Sequence, residues 1–73
     1  NKLELAGKQF EQSLRIARTV NDYEGASDAM IQLAAIAEQH QDIPRRQTLL
    51  KEAAAILRSN NLPVTGWLQE NGF

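Results

Sequence analysis

Residues 10–21, Phe-Glu-Gln-Ser-Leu-Arg-Ile-Ala-Arg-Thr-Val-Asn, fall in register on residues 50–61, Leu-Lys-Glu-Ala-Ala-Ala-Ile-Leu-Arg-Ser-Asn-Asn, when the chain is slid on itself by 40 positions. Phe10 then meets Leu50, Ser13 meets Ala53, Ile16 meets Ile56, Arg18 meets Arg58 and Asn21 meets Asn61. A helix pair recurring at such a period points to a helical solenoid, in which each unit buries its apolar face on its neighbours.

Outward from these two segments the pattern is helical throughout. In the first helix Leu3, Ala6, Phe10, Leu14 and Ala17 recur at steps of three and four, with Lys2, Glu4, Lys8, Glu11, Gln12, Arg15 and Arg18 on the opposite face. The pattern fails at Thr19-Val20-Asn21-Asp22, where Asn and Asp favour a turn, and Asp22 is placed to cap the next helix. That second helix carries Ala26, Ala29, Met30, Leu33, Ile36 and Ala37, small residues that allow a close neighbour. Gln39-His40-Gln41-Asp42 ends it, and Pro44 fits the first turn of a third helix with Leu49, Leu50, Ala53, Ile56 and Leu57 on one side. Ser59-Asn60-Asn61 and Pro63 stop the third helix. Thr65 then opens a short turn or helix holding Trp67 and Leu68, ended by Gly72. No window alternates like a strand. Trp67, Leu68 and Phe73 are expected to fold back as a cap on the last helix pair, with the indole buried. The competing expectation is a docking peptide for another chain.

On these residues the chain resembles the tetratricopeptide repeat family, in the variant with repeats of about 40 residues. Asn21 to Arg58 looks like one unit, with Leu33-Ala34 as the large–small pair of its first helix, Asp42 in the turn, and Leu50 and Ala53 as the large and small positions of its second. Residues 3–20 resemble the second helix of a preceding unit, with Ala6, Phe10 and Ser13 in the small–large–small places. The chain departs from the pattern at Gln41 where the turn glycine belongs, at Ala37 where a tyrosine belongs, and at Arg46 where a small residue opens the second helix. The resemblance implies an all-α antiparallel helix-hairpin solenoid fragment, three main helices plus a short C-terminal capping helix or turn. It divides the chain as 3–20, the trailing helix of one repeat; 21–61, one complete repeat; and 62–73, a cap.

The 73 residues hold one small domain, 42% hydrophobic and 23% charged, within ordinary globular usage. The net charge of −1 gives no global field for nucleic acid or an anionic membrane. There is no cysteine, which excludes disulfides, thiolate metal sites and thiol chemistry. The apolar runs 33–37 and 53–57 are far short of the ~20 residues of a membrane helix, and no signal peptide is visible. A cytoplasmic location is expected. The chain begins at Asn and is expected to be part of a longer protein.

The string Glu38-x-His40-x-Asp42 suggests a metal only superficially, because residues two apart on a helix diverge by about 200°. His40 reads as a helix-terminal histidine. Ser13, Ser27 and Ser59 each have a structural explanation, no glycine-rich phosphate loop exists, and neither catalytic residues nor a cofactor are assigned. Arg45, Arg46, Lys51 and Arg58 would put a helix-turn-helix recognition helix at 44–59. The acids Glu24, Asp28, Glu38 and Asp42 around it argue against nucleic acid.

What the resemblance implies is a non-catalytic scaffold for a protein or peptide partner, bound in a groove lined by the second helix. Transferred relative to Leu33, the contact positions are Asp28, Ile31, Ala35, Glu38 and Gln39. This set lacks the Lys and Asn that clamp a ligand's terminal carboxylate, and suits a basic or amphipathic helical segment. The alternative is an oligomerisation or regulatory segment of a larger signalling or transcriptional protein. Neither a membrane nor a small-molecule substrate is expected. Self-association through the first helix is expected, with Leu3, Ala6, Phe10 and Leu14 lacking a neighbour on one side.

Overall fold

A computed structural model describes all residues, 1–73. The chain forms four helices and no strand: α1 (Lys2–Thr19), α2 (Tyr23–Gln39), α3 (Ile43–Ser59) and the short α4 (Gly66–Glu70).

One joint is used repeatedly. Asn21, Gln41 and Asn61 all hold left-handed backbone, with φ of 60°, 60° and 57°. They stand twenty residues apart, each just beyond a helix end. At the first joint the Asn21 amide donates to the Arg18 carbonyl (3.3 Å) and the Asp22 amide to the Ala17 carbonyl (2.8 Å), which satisfies two orphan acceptors of α1. The Asp22 side chain then accepts from the Gly25 amide (3.0 Å) and so opens α2. Gln41 and Asp42 repeat the arrangement toward Glu38 and Ala37, and Asp42 accepts from the Arg45 amide (3.2 Å). The third joint ends α3 through Leu62 to Leu57 (2.9 Å), and Phe73 to Leu68 (2.9 Å) ends α4 with Gly72 at φ 88°. Thr65 caps α4 by accepting from the Leu68 amide (3.3 Å). The sequence expectations for Asp22, Pro44 and Thr65 are therefore met in the places assigned.

Three-residue joints force α1 against α2 and α2 against α3, and those two contacts make the body of the fold. The extents of 37 × 28 × 16 Å describe helices laid nearly in one layer, since a single helix is about 10–12 Å across. The core gathers Met30, Leu33 and Ala34 of α2, Leu49, Leu50, Ala53, Ala54 and Leu57 of α3, and Leu68 of α4. Phe10 and Leu14 of α1 lean on it from one side, Leu62, Val64 and Phe73 from the tail. Buried Ala26, Ala29 and Ala37 of α2 keep the helix axes close, as the small-residue pattern requires.

Two expectations are corrected here. The tail does fold back, but Leu68 is the plug, fully buried, while Trp67 is 46% exposed. Neighbouring helical residues point about 100° apart, so only one of the pair can face the core. The expected unpartnered residues of α1 also differ. Phe10 and Leu14 face the chain's own core, whereas Leu5, Ile16 and Val20 stand 58%, 56% and 65% exposed. No helix is long and apolar enough to cross a membrane.

Replacing a left-handed non-glycine residue with glycine removes a Cβ penalty of about 1–2 kcal/mol, less for asparagine. Gln41→Gly should therefore raise stability by about 1 kcal/mol in thermal melts, and Asn21→Gly by less. Leu68→Ala should cost about 2–5 kcal/mol, while Trp67→Ala should cost roughly 1 kcal/mol or less. Fluorescence checks the same point independently: native Trp67 should emit at a red-shifted wavelength and quench readily with acrylamide.

Candidate partner-binding face

The five residues assigned to partner contact lie on the same side of α2. Asp28, Ile31, Ala35, Glu38 and Gln39 follow at steps of three, four, three and one, which keeps them on one half of the helix surface. The buried side of α2, with Ala26, Ala29, Met30, Leu33, Ala34 and Ala37, is occupied by α1 and α3. What remains is an open face with Asp28, Ala35, Glu38 and Gln39 exposed. Ile31 is the exception, half-buried and packed against the core. Glu24 and Gln32 share this face, four residues before and after Asp28, and are exposed as well. Their spacing of four residues from Asp28 would have found them.

Glu38 is not free. Arg46 lays its guanidinium along the edge of α2, with Nε 3.6 Å from the Glu38 carboxylate. The same guanidinium donates to Oε1 of Gln47 at 3.3 Å. The acids left open on the face are Glu24 and Asp28, both toward its N-terminal end.

Two hollows lie elsewhere. A hollow of about 200 Å³ sits where α1, the end of α2 and the start of α3 meet, lined by Gly7, Glu11, Leu33, Ala37, His40 and Arg45 among others. None of the five assigned residues lines it. Arg45 and Glu11 pair at 3.6 Å between α3 and α1, both about half exposed, so their attraction is screened and worth little. A second hollow lies between α3 and the tail beside Lys51, Arg58 and Phe73. There Arg58 donates to the Phe73 carbonyl and holds the tail on α3.

His40 sits at the C-terminal cap of α2 and is exposed. The one buried hydroxyl, Ser27, has no hydrogen-bond partner. It stands thirteen residues from His40 on the same helix, about 20 Å along its axis. No three of the Asp, Glu and His side chains converge as a metal site. Three of the four cations on α3 are engaged within the chain, Arg45 by Glu11, Arg46 by Glu38 and Arg58 by the tail. A recognition-helix reading of 44–59 finds its leading arginines turned toward acids. No protein-family model, curated protein or solved structure matches this chain.

Away from Glu38 the open face should be tolerant, because exposed Asp28, Ala35 and Gln39 hold nothing together. Asp28→Ala, Ala35→Ser and Gln39→Ala should each move stability by no more than about 0.5 kcal/mol. Ile31→Ala, which removes packing from the core edge, should cost about 1–3 kcal/mol. Urea denaturation of the four variants checks the division.

Proposed function

We propose that this chain is a unit of a tetratricopeptide-like helical solenoid and acts as a non-catalytic scaffold that holds a basic, amphipathic helical segment of another protein on the open face of α2. The observation that carries the reading is the recurrence of one joint every twenty residues. Two successive helices and their turns then make a unit of 40 residues, the offset at which α1 and α3 agree in sequence. In such a stack α2 is covered on two sides by α1 and α3, and its third side is left to a partner.

The chemistry of that side selects the partner. Glu24 and Asp28 attract a base, Ile31 and Ala35 offer a shallow apolar strip one helical turn further on, and Gln39 supplies an amide at the far end. An incoming helix with Lys or Arg at one end of its apolar stripe satisfies all three in one orientation. Glu38, already paired with Arg46, contributes an acceptor more than a free charge.

Titrating the 73-residue chain with a basic amphipathic helical peptide, followed by NMR, tests the reading. Shifts should concentrate on residues 24–39 along the exposed side, with Asp28 and Ile31 among the largest. Asp28→Lys should weaken binding about tenfold with the melting temperature unchanged, and raising salt from 0.05 to 0.5 M should weaken it further. Shifts confined to the hollow beside His40, or no saturable binding at millimolar peptide, would overturn it.

A further inference from the structure

The outer side of α1 is the least explained surface of the molecule. Leu5, Gln9, Gln12 and Ile16 are all exposed, and their steps of four, three and four keep them within about 60° on the helix surface. Only neutral side chains occupy this stripe, although α1 carries six of the chain's seventeen charged residues.

The 40-residue correspondence shows what such a stripe does elsewhere in the chain. Gln9, Ser13 and Ile16 correspond to Leu49, Ala53 and Ile56 of α3. Leu49 and Ala53 are buried and Ile56 is packed on the core, whereas Gln9, Ser13 and Ile16 are exposed. That edge of the helix is therefore covered in α3 and bare in α1, while the other two stripe positions, Leu5 and Gln12, correspond to Arg45 and Glu52, which are exposed in α3. The bare version also carries amides at its centre where α3 has a leucine and a glutamate, Leu49 and Glu52.

The order along the stripe identifies the occupant. Leucine, glutamine, glutamine, isoleucine reads as apolar–amide–amide–apolar from either end, with mirror-symmetric spacing. A second copy of α1 laid antiparallel brings Leu5 level with Ile16 of that copy and Gln9 level with its Gln12, and the two amides can donate to and accept from one another. In a two-fold contact residue i meets j and j meets i, and the mirror order makes each such pair like with like, a match that a partner of unrelated sequence does not have built in. Charge agrees. Glu4, Lys8, Glu11 and Arg15 form a parallel row about 100° round the helix, with signs that run minus, plus, minus, plus. Reversed, that row sets Glu4 against Arg15 of the copy and Lys8 against its Glu11. The displacement from the apolar register is about 3 Å, within reach of these long side chains.

We propose that two copies of this chain associate through the outer side of α1, as a two-fold antiparallel helix pair centred on Gln9 and Gln12. The contact leaves the open face of α2 unused and shares with the scaffold reading only the 40-residue correspondence.

Sedimentation equilibrium of the 73-residue chain should show a reversible monomer–dimer equilibrium. Ile16→Glu places an unpaired charge in the contact and should raise the dimer dissociation constant at least about tenfold with the melting temperature of the monomer unchanged. Ala55→Glu, on the exposed side of α3, should leave it unmoved. Because the chain has no native cysteine, cross-linking reads the direction as well. Leu5→Cys mixed with Ile16→Cys should oxidise to a disulfide-linked pair. Leu5→Cys alone should not link to itself, since the two thiols would lie about 16 Å apart along the antiparallel axis. A monomer at millimolar concentration would overturn the proposal and leave the stripe to another helix. So would a dimer indifferent to Ile16→Glu, or efficient self-linking of Leu5→Cys.

Discussion

Everything in this fold hangs on an aspartate used twice. The Asp22 amide closes α1 by donating to Ala17, and the Asp22 carboxylate opens α2 by accepting from Gly25; Asp42 does the same between α2 and α3. Joining the end of one helix to the start of the next in a single residue leaves no slack, so the residue before it must turn the chain within one left-handed step. Asn21 and Gln41 supply that step. The direction and spacing of the helices follow from the joint, and the alanines of α2 then let both neighbours settle at close range. At the third joint Leu62 replaces the aspartate, closing α3 without opening another helix at once, and the chain passes through Pro63 into the tail.

Much of this was legible because it is local. The apolar steps of α1, α2 and α3, the capping aspartates, Pro44 and the Asn60-Asn61 stop all act within a few residues of themselves, and each element stands where they put it. Gln41 is the position where local preference gives little guidance, since glutamine has no leaning toward left-handed backbone. The joint imposes the conformation on it. Trp67 and Leu68 show the limit from the other side. Two adjacent apolar residues in a five-residue helix cannot be ranked by periodicity, and the path of Leu62 to Thr65 decides which enters the core.

The candidate face divides along the same line. That Asp28, Ala35, Glu38 and Gln39 point outward could be read from one helix alone. That Ile31 leans on the core and that Glu38 is held by Arg46 could not, because both depend on where α3 lies. The neutral stripe of α1 was hidden for a related reason. The apolar steps of α1 leave Leu5 and Ile16 off the face of Phe10, Leu14 and Ala17, but that no other part of the chain covers them depends on where α2, α3 and the tail lie.

The one-layer order of α1, α2 and α3 also sets how the chain comes apart. Each helix touches its neighbours in sequence, so most contacts close short loops, and chains with such local contacts fold in microseconds to milliseconds. Burial is unevenly shared along the row: α1 contributes only Ala17 to the fully buried set, while α2 contributes seven residues. Amide hydrogens should therefore exchange fastest in the first turns of α1 and slowest in the middle of α2, and the molecule should fray from its first helix inward while α2 and α3 remain joined.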